Sequence, residues 1–242
     1  MLVLGQFLLE WKLFRRDRTA LFWSFAFPAL LLVGMGVVFR PGTGARGLHY
    51  LLPGLLGMNL VSMGLFNVGM VLVKDRESGK LRRLAVTPLP KWVFLLGKIL
   101  HRLSLSFLQS TVLLVLGNGL FGVRNQGSYL LLGTVLALGA ACFMAMGFAL
   151  SGFAKSSEGY SAFSNAAFFP LLFLSGVYFP MDTAPRWAQQ IPGLLPLSPC
   201  LRILRAIFDG GAGLAHLGAA LGVVVAWTGV CSGLALLRFR WA

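Results

Sequence analysis

Apolar residues in this chain gather into six long runs, at about 21–39, 50–73, 103–122, 129–153, 159–181 and 214–237. A helix needs about 20 mostly apolar residues to cross the hydrocarbon core of a bilayer, and each run is long enough. Apolar and polar residues do not alternate within them, which argues against strands of a membrane barrel. The pattern predicts an all-α integral membrane protein of six transmembrane helices, forming one transmembrane domain over 1–242.

Two segments outside the runs carry patterns of their own. In residues 2–18, Val3, Leu4, Phe7, Leu8, Trp11 and Phe14 fall near one helical face, with Gln6, Glu10, Lys12, Arg15 and Arg16 mostly elsewhere. This predicts an amphipathic helix lying in the membrane interface, with a bend at the charged residues 15–18. Residues 182–213 hold Pro185, Pro192, Pro196 and Pro199, yet keep Trp187, Ile191, Leu194, Leu195 and Leu197. They read as short helical pieces at, or dipping into, the outer leaflet, where broken backbone must be buried in protein or line a wet cavity. Pro170 is expected to kink the fifth run.

Composition sharpens the class. The chain is 57% hydrophobic and 12% charged, with mean hydropathy +0.80 and net charge +14, against roughly a quarter charged for soluble domains. The excess positive charge fits loops facing anionic lipid and a cytoplasmic partner rather than nucleic acid. Fifteen Lys and Arg lie on the side holding both termini and residues 74–102, and six lie on the other. By the positive-inside rule, both termini are expected in the cytoplasm.

The predicted span interiors contain no Asp, Glu, Lys, Arg or His, which argues against a proton relay. No paired carboxylates or Ser/His/Asp set suggests an enzyme. Gly79-Lys80 and Gly97-Lys98 lack the earlier Gly and following Ser or Thr of a phosphate-binding loop. Nucleotide energy would therefore have to come from another subunit. Cys142, Cys200 and Cys231, and His49, His101 and His216, lack the spacing of a metal site. Candidates for a substrate path are the neutral polar Asn59, Asn67 and Asn165, with Phe66, Phe169 and Phe173. The ordinary role of such residues is hydrogen bonding or packing between helices.

The densest charge lies in DRESGKLRRLAVTPLP, residues 75–90. Leu81, Leu84 and Ala85 share one face of a short helix, Arg76, Lys80, Arg82 and Arg83 occupy much of the remainder, and Pro88 and Pro90 limit its length. From the residues alone this is either a docking element or a solvated basic loop that sets orientation.

Residues 75–100 resemble the cytoplasmic loop of type-2 ATP-binding-cassette export permeases. The pattern is an acidic residue, a Gly, L-x-x-L-x-x-T-P and then L-G-K. Here it reads Glu77, Gly79, Leu81, Leu84, Thr87, Pro88, Leu96, Gly97 and Lys98. A second block resembles the outer segment after the fifth span of that family. It carries Ser175, Gly176, Phe179, Pro180, Pro185, Trp187, Pro192, Pro196, Leu197, Arg202 and Gly210. Lys80 departs from the Thr or Ser usual in the family.

The resemblance implies a permease subunit that pairs with a second permease, forming a homodimer, and with two ATP-binding-cassette ATPase subunits, in a bacterial inner membrane. ATP and Mg would sit on the partners, and this chain would hold no cofactor and no catalytic site. Coupling to the ATPase would fall to Glu77, Gly79, Leu81, Arg82, Arg83, Leu84, Thr87 and Pro88, with Lys155 and Glu158 as a smaller second contact. The N-terminal helix would brace that interface. Ser175, Gly176, Pro180, Pro185, Trp187, Pro196 and Arg202 would belong to a re-entrant outer gate. The substrate would be hydrophobic or amphipathic: a drug, antibiotic, lipid or lipid-linked glycan. The alternatives are an ion-coupled secondary transporter and a non-transporting membrane assembly protein.

Overall fold

A computed structural model describes residues 2–85, 90–178, 191–210 and 214–238, with the side chains of 39–46, 84–85, 91, 191 and 214–217 outside the description. The elements are α1 (Leu2–Arg16), α2 (Arg18–Ser62), a π-helical segment (Met63–Gly69), α3 (Met70–Glu77), α4 (Lys80–Ala85), α5 (Lys91–Phe121), α6 (Tyr129–Ser151) and α7 (Ser157–Leu174). A 3-10 turn (Ile191–Leu194), α8 (Leu197–Phe208) and α9 (Leu214–Arg238) complete the order, with no strand among the described residues.

Helical geometry runs unbroken through α2, yet its two halves lie side by side. Phe27, Pro28 and Leu31 share a small cavity with Leu55, Met58 and Asn59. In a straight helix Pro28 and Leu55 would stand about 40 Å apart at 1.5 Å per residue, so the chain turns back between them. The first half supplies one apolar span, Arg18–Val38, and the second runs on through the π segment into α3 as Gly47–Glu77. Three more helices among the described residues are long and apolar enough to cross a membrane: Trp92–Phe121, Tyr129–Ser151 and Gly218–Arg238.

Five such helices stand where the sequence predicts six. The run expected at 159–181 takes helical form as α7, 18 residues ending at Leu174. Ser175 and Gly176 turn the chain there, with Gly176 at φ +75°, and 179–190 lie outside the described residues. Helix α7 continues through Pro170.

The third span also differs from its sequence reading. It begins at Lys91, straight after Pro90, and therefore takes in Lys98, His101 and Arg102. The spans are not free of ionisable groups. Lys98 and His101 are buried, turned toward α1 and α3 rather than toward lipid.

Small residues set how closely the helices approach. A Cβ on Gly64 would overlap the carbonyl of Phe143, and one on Gly147 would overlap the carbonyl of Gly64. Backbone contact of this kind is the usual way helices associate where surrounding lipid offers no hydrophobic drive. The π-helical segment that carries Gly64 also presents the Leu65 carbonyl toward α7. Tyr160, fully buried on α7, donates its hydroxyl to that oxygen at 2.7 Å.

Candidate functional site

The basic loop is a helix–turn–helix rather than one helix. α3 ends at Glu77, Ser78 and Gly79 reverse the chain, and α4 starts at Lys80. Gly79 has φ +68°, a left-handed conformation that other L-residues adopt at a cost of about 1–2 kcal/mol. The family-like Gly therefore has a local reason to be Gly. Arg83 Nη2 donates to the Ser78 carbonyl at 3.0 Å and fastens α4 back onto the turn.

Two adjacent side chains join this loop to the α6–α7 connection. Glu77 Oε1 accepts the backbone N–H of Ser157 at 2.9 Å, in the first turn of α7. Arg76 reaches the other way, donating to the Ser151 carbonyl at 3.4 Å and to the Ala154 carbonyl. A carboxylate at a helix N-terminus and a guanidinium at a helix C-terminus each match the helix dipole. The α6–α7 connection is thus held from both ends by consecutive residues of α3. Ser156 caps α7, accepting from Gly159 N at 3.1 Å.

The predicted coupling residues come together in part. Glu77, Gly79, Arg82 and Lys155 line one open cavity of about 680 Å³ with Arg76 and Arg238. Arg82, Arg83, Lys155 and Glu158 are exposed. Leu81 is turned inward and only 1% exposed, so it anchors α4 to its own chain. The side chain of Leu84, and all of Thr87 and Pro88, lie outside the described residues.

Behind α4 runs a buried row of charge absent from the sequence reading. Lys98 Nζ lies 2.7 Å from Asp75 Oδ2 and 3.4 Å from Glu10 Oε1, and Lys80 Nζ lies 3.5 Å from Asp75 Oδ1. Lys98 also sits over the Phe94 ring at 5.0 Å. Gln6 donates to Glu10 at 3.2 Å, and Trp11 Nε1 donates to Ser104 at 3.1 Å. α1, α5, α3 and α4 are thereby connected in one electrostatic chain.

The break between α1 and α2 falls at Asp17, within the expected bend, and Asp17 accepts the Ala20 N–H at 2.9 Å. Of the apolar face read from the spacing, Val3, Phe7 and Trp11 are half-buried and Phe14 is buried, whereas Leu4 and Leu8 are 60% and 56% exposed. Glu10 is buried on the same helix, paired with Lys98. The available signal was Lys98 itself, in the L-G-K stretch, together with an acid on α1.

The predicted substrate-path residues do not share one surface. Asn59 is buried beside the first half of α2. Asn67 accepts from Arg102 Nη1 at 3.3 Å, and Phe66 packs edge-on against Phe168, ring centres 5.0 Å apart. Asn165, Phe169 and Phe173 do share the exposed face of α7, together with Phe163.

Of the predicted gate, Pro180, Pro185 and Trp187 lie outside the described residues. Ser175 is buried, Pro196 leads into α8, and Arg202 is exposed. Gly176 is the better-held residue. Its carbonyl accepts from Tyr50 Oη and from Arg205 Nη2, both at 2.6 Å, and the Arg205 guanidinium stacks 3.6 Å from the Tyr50 ring. The guanidinium that closes on the turn after α7 therefore belongs to Arg205, one helical turn beyond Arg202. Among the described residues, no three His, Cys, Asp or Glu group into a metal site.

Residues 7–208 match the family model described as ABC-2 type transporter. Among similar curated proteins, the Escherichia coli "Probable multidrug ABC transporter permease YbhR" is 25% identical over 68% of this chain and 45% of its own length. The E. coli "Inner membrane transport permease YhhJ" is 26% identical over 75% of this chain and 49% of its own length. The Bacillus subtilis "Putative transport permease YvfS" is 23% identical over 79% of both chains. The chain spans less than half the length of the first two of these relatives.

Proposed function

Because the chain belongs to the ABC-2 type transporter family, we propose that it is the membrane-spanning subunit of an exporter driven by separate ATP-binding-cassette ATPases. The observation that carries this reading is the grip of Arg76 and Glu77 on the α6–α7 connection. It turns two cytoplasmic segments, separate in sequence, into one surface that a partner can move as a unit.

On this reading α4, with its exposed Arg82 and Arg83, presents the main contact to the ATPase, and Lys155 and Glu158 present the second. Leu81 fixes α4 to the body of the permease, and Leu84, Thr87 and Pro88 extend the contact. Closure of the ATPase dimer on ATP would push this surface. The displacement would pass through Tyr160 to the π segment and through Lys98 to α1 and α5. Packed helices then switch between arrangements rather than deform continuously, and ATP shifts the balance between them by differential binding. ATP and Mg belong to the partners, and this chain supplies positioning and leverage only.

On this reading α7 (Ser157–Leu174) serves as the sixth crossing. Its exposed Phe163, Asn165, Phe169 and Phe173 combine aromatic faces with an amide, a mixture suited to a second permease copy and an amphipathic substrate between the two. The substrate class is hydrophobic or amphipathic, whether drug, antibiotic, lipid or lipid-linked glycan. The cytoplasmic membrane of a bacterium is the setting, with both termini inside.

The test is purification of the tagged protein from its membrane in mild detergent, with identification of partners and an ATPase assay. A stoichiometric ATPase subunit, lost on Leu84→Asp while the permease still inserts, is the expected result. A clean permease with no ATPase partner or activity would overturn the reading.

A further inference from the structure

The 680 Å³ cavity between the coupling loop, the α6–α7 connection and the end of α9 has an unbalanced lining. Arg76, Arg82, Lys155 and Arg238 face Glu77 as the sole acid of that lining, and both Arg76 and Glu77 are already engaged with the backbone. Arg82, Lys155 and Arg238 are exposed and make no ion pair among the described residues. Phe153 and Leu237, 49% and 83% exposed, give the same cavity an apolar wall. The Arg238 guanidinium lies 5.3 Å from the Phe153 ring centre.

A second cavity, of about 500 Å³, runs between α5, α6 and α9, and its walls are almost wholly apolar. Leu95 and Ile99 of α5, Ala145 and Phe148 of α6, and Leu236 of α9 line it. Its lining adjoins that of the first cavity along the chain at two places. Gly152 of the first, just past the end of α6, follows Phe148 of the second by four residues, about 6 Å at helical rise. Leu237 of the first follows Leu236 of the second on α9. All three walls belong to helices long and apolar enough to cross the membrane, so the groove opens where acyl chains are.

We propose that these two cavities form one site for an acidic glycerophospholipid of the cytoplasmic leaflet. Its phosphate lies among Arg82, Lys155 and Arg238, and an acyl chain lies in the α5–α6–α9 groove. Three unmatched cations favour a headgroup of net negative charge over a zwitterionic one, whose ammonium they would repel. A carboxylate of the ATPase partner is the other anion that could reach the cationic end. The apolar wall and the groove leading from it into the membrane favour the lipid. The site rests on the cytoplasmic placement of this end of the molecule, but it needs no ATPase.

The experiment uses the whole permease purified without ATPase, given equal amounts of phosphatidylglycerol and phosphatidylcholine, with bound lipid read by native mass spectrometry. The expected result is retention of phosphatidylglycerol in roughly tenfold preference, reduced to near parity in a Lys155→Ala, Arg238→Ala double variant. Arg82→Ala, on the open surface of α4, gives an independent reading if the double variant fails to fold. Ala145→Phe, which fills the groove, should lower phosphatidylglycerol retention although it removes no charge, and excess inorganic phosphate should not displace the lipid. Equal retention of the two lipids, or a preference that survives the charge variants, would overturn the proposal. So would displacement by inorganic phosphate with Ala145→Phe harmless, which marks a soluble-anion site. In a separate mild-detergent pull-down from the native membrane, loss of the ATPase in the charge variants, with lipid preference intact in the purified permease, would assign the cavity to the partner protein instead.

Discussion

The carboxylate of Glu77 lies 2.9 Å from the backbone nitrogen of Ser157, across 80 residues of sequence and between two interhelical connections. With Arg76 holding the carbonyls of Ser151 and Ala154, it ties the α3–α4 turn to the entrance of α7. Glu77→Gln keeps the size of the side chain but weakens its hold on a helix N-terminus. The expected outcome is a fold and an ATPase partner retained, with transport and substrate-stimulated ATPase both reduced. Parallel assays of copurification and turnover check it.

The Lys98–Asp75 pair is buried, with both residues under 10% exposed. Removing one member of such a pair leaves an uncompensated charge and costs about 3–5 kcal/mol. Lys98→Met should lower the unfolding midpoint of the detergent-solubilised protein markedly. Asp75→Asn on top of it should restore part of the loss, because one of the two buried carboxylates that Lys98 compensates goes with it. Thermal unfolding of the two variants against the parent decides the point.

Tyr160→Phe removes one hydroxyl and leaves the Leu65 carbonyl of the π turn without its donor. The cost expected is about 1–3 kcal/mol for a buried acceptor left unsatisfied. If Tyr160 also carries motion from α7 to the π segment, ATPase stimulation by substrate should fall more than basal ATPase does. An equal fall in both would confine Tyr160 to a structural role.

Gly79→Ala meets no steric obstacle, yet places an L-residue at φ +68°. The strain, about 1–2 kcal/mol, falls on the turn that aims α4. Recovery of the ATPase partner should drop while insertion and the rest of the fold persist. Copurification yield at equal permease expression measures this.

The long apolar runs made most of the helices legible, because burial in lipid imposes a length and a composition that single sequences display. The boundary of the third span was not legible. Lys98, His101 and Arg102 look like the end of a loop until α1 is laid beside them, and that contact is tertiary. The same contact buries Glu10 of α1 beside Lys98, a placement the apolar pattern alone does not indicate. The short helix at Lys80–Ala85 was visible as charge set beside leucine. That Leu81 turns into the chain was not, because nothing in its spacing marks it for burial. Arg202 and Arg205 are equivalent in sequence terms, and only the turn at Gly176 selects Arg205 as its partner.

The most direct test of the central claim is the mild-detergent pull-down, with ATPase activity measured on the parent and on Leu84→Asp. The account predicts a stoichiometric ATP-binding-cassette ATPase with the parent, and its loss with the variant at unchanged membrane insertion. An inserted Leu84→Asp protein that keeps its ATPase and couples normally would contradict the assignment of residues 75–88 as the docking element.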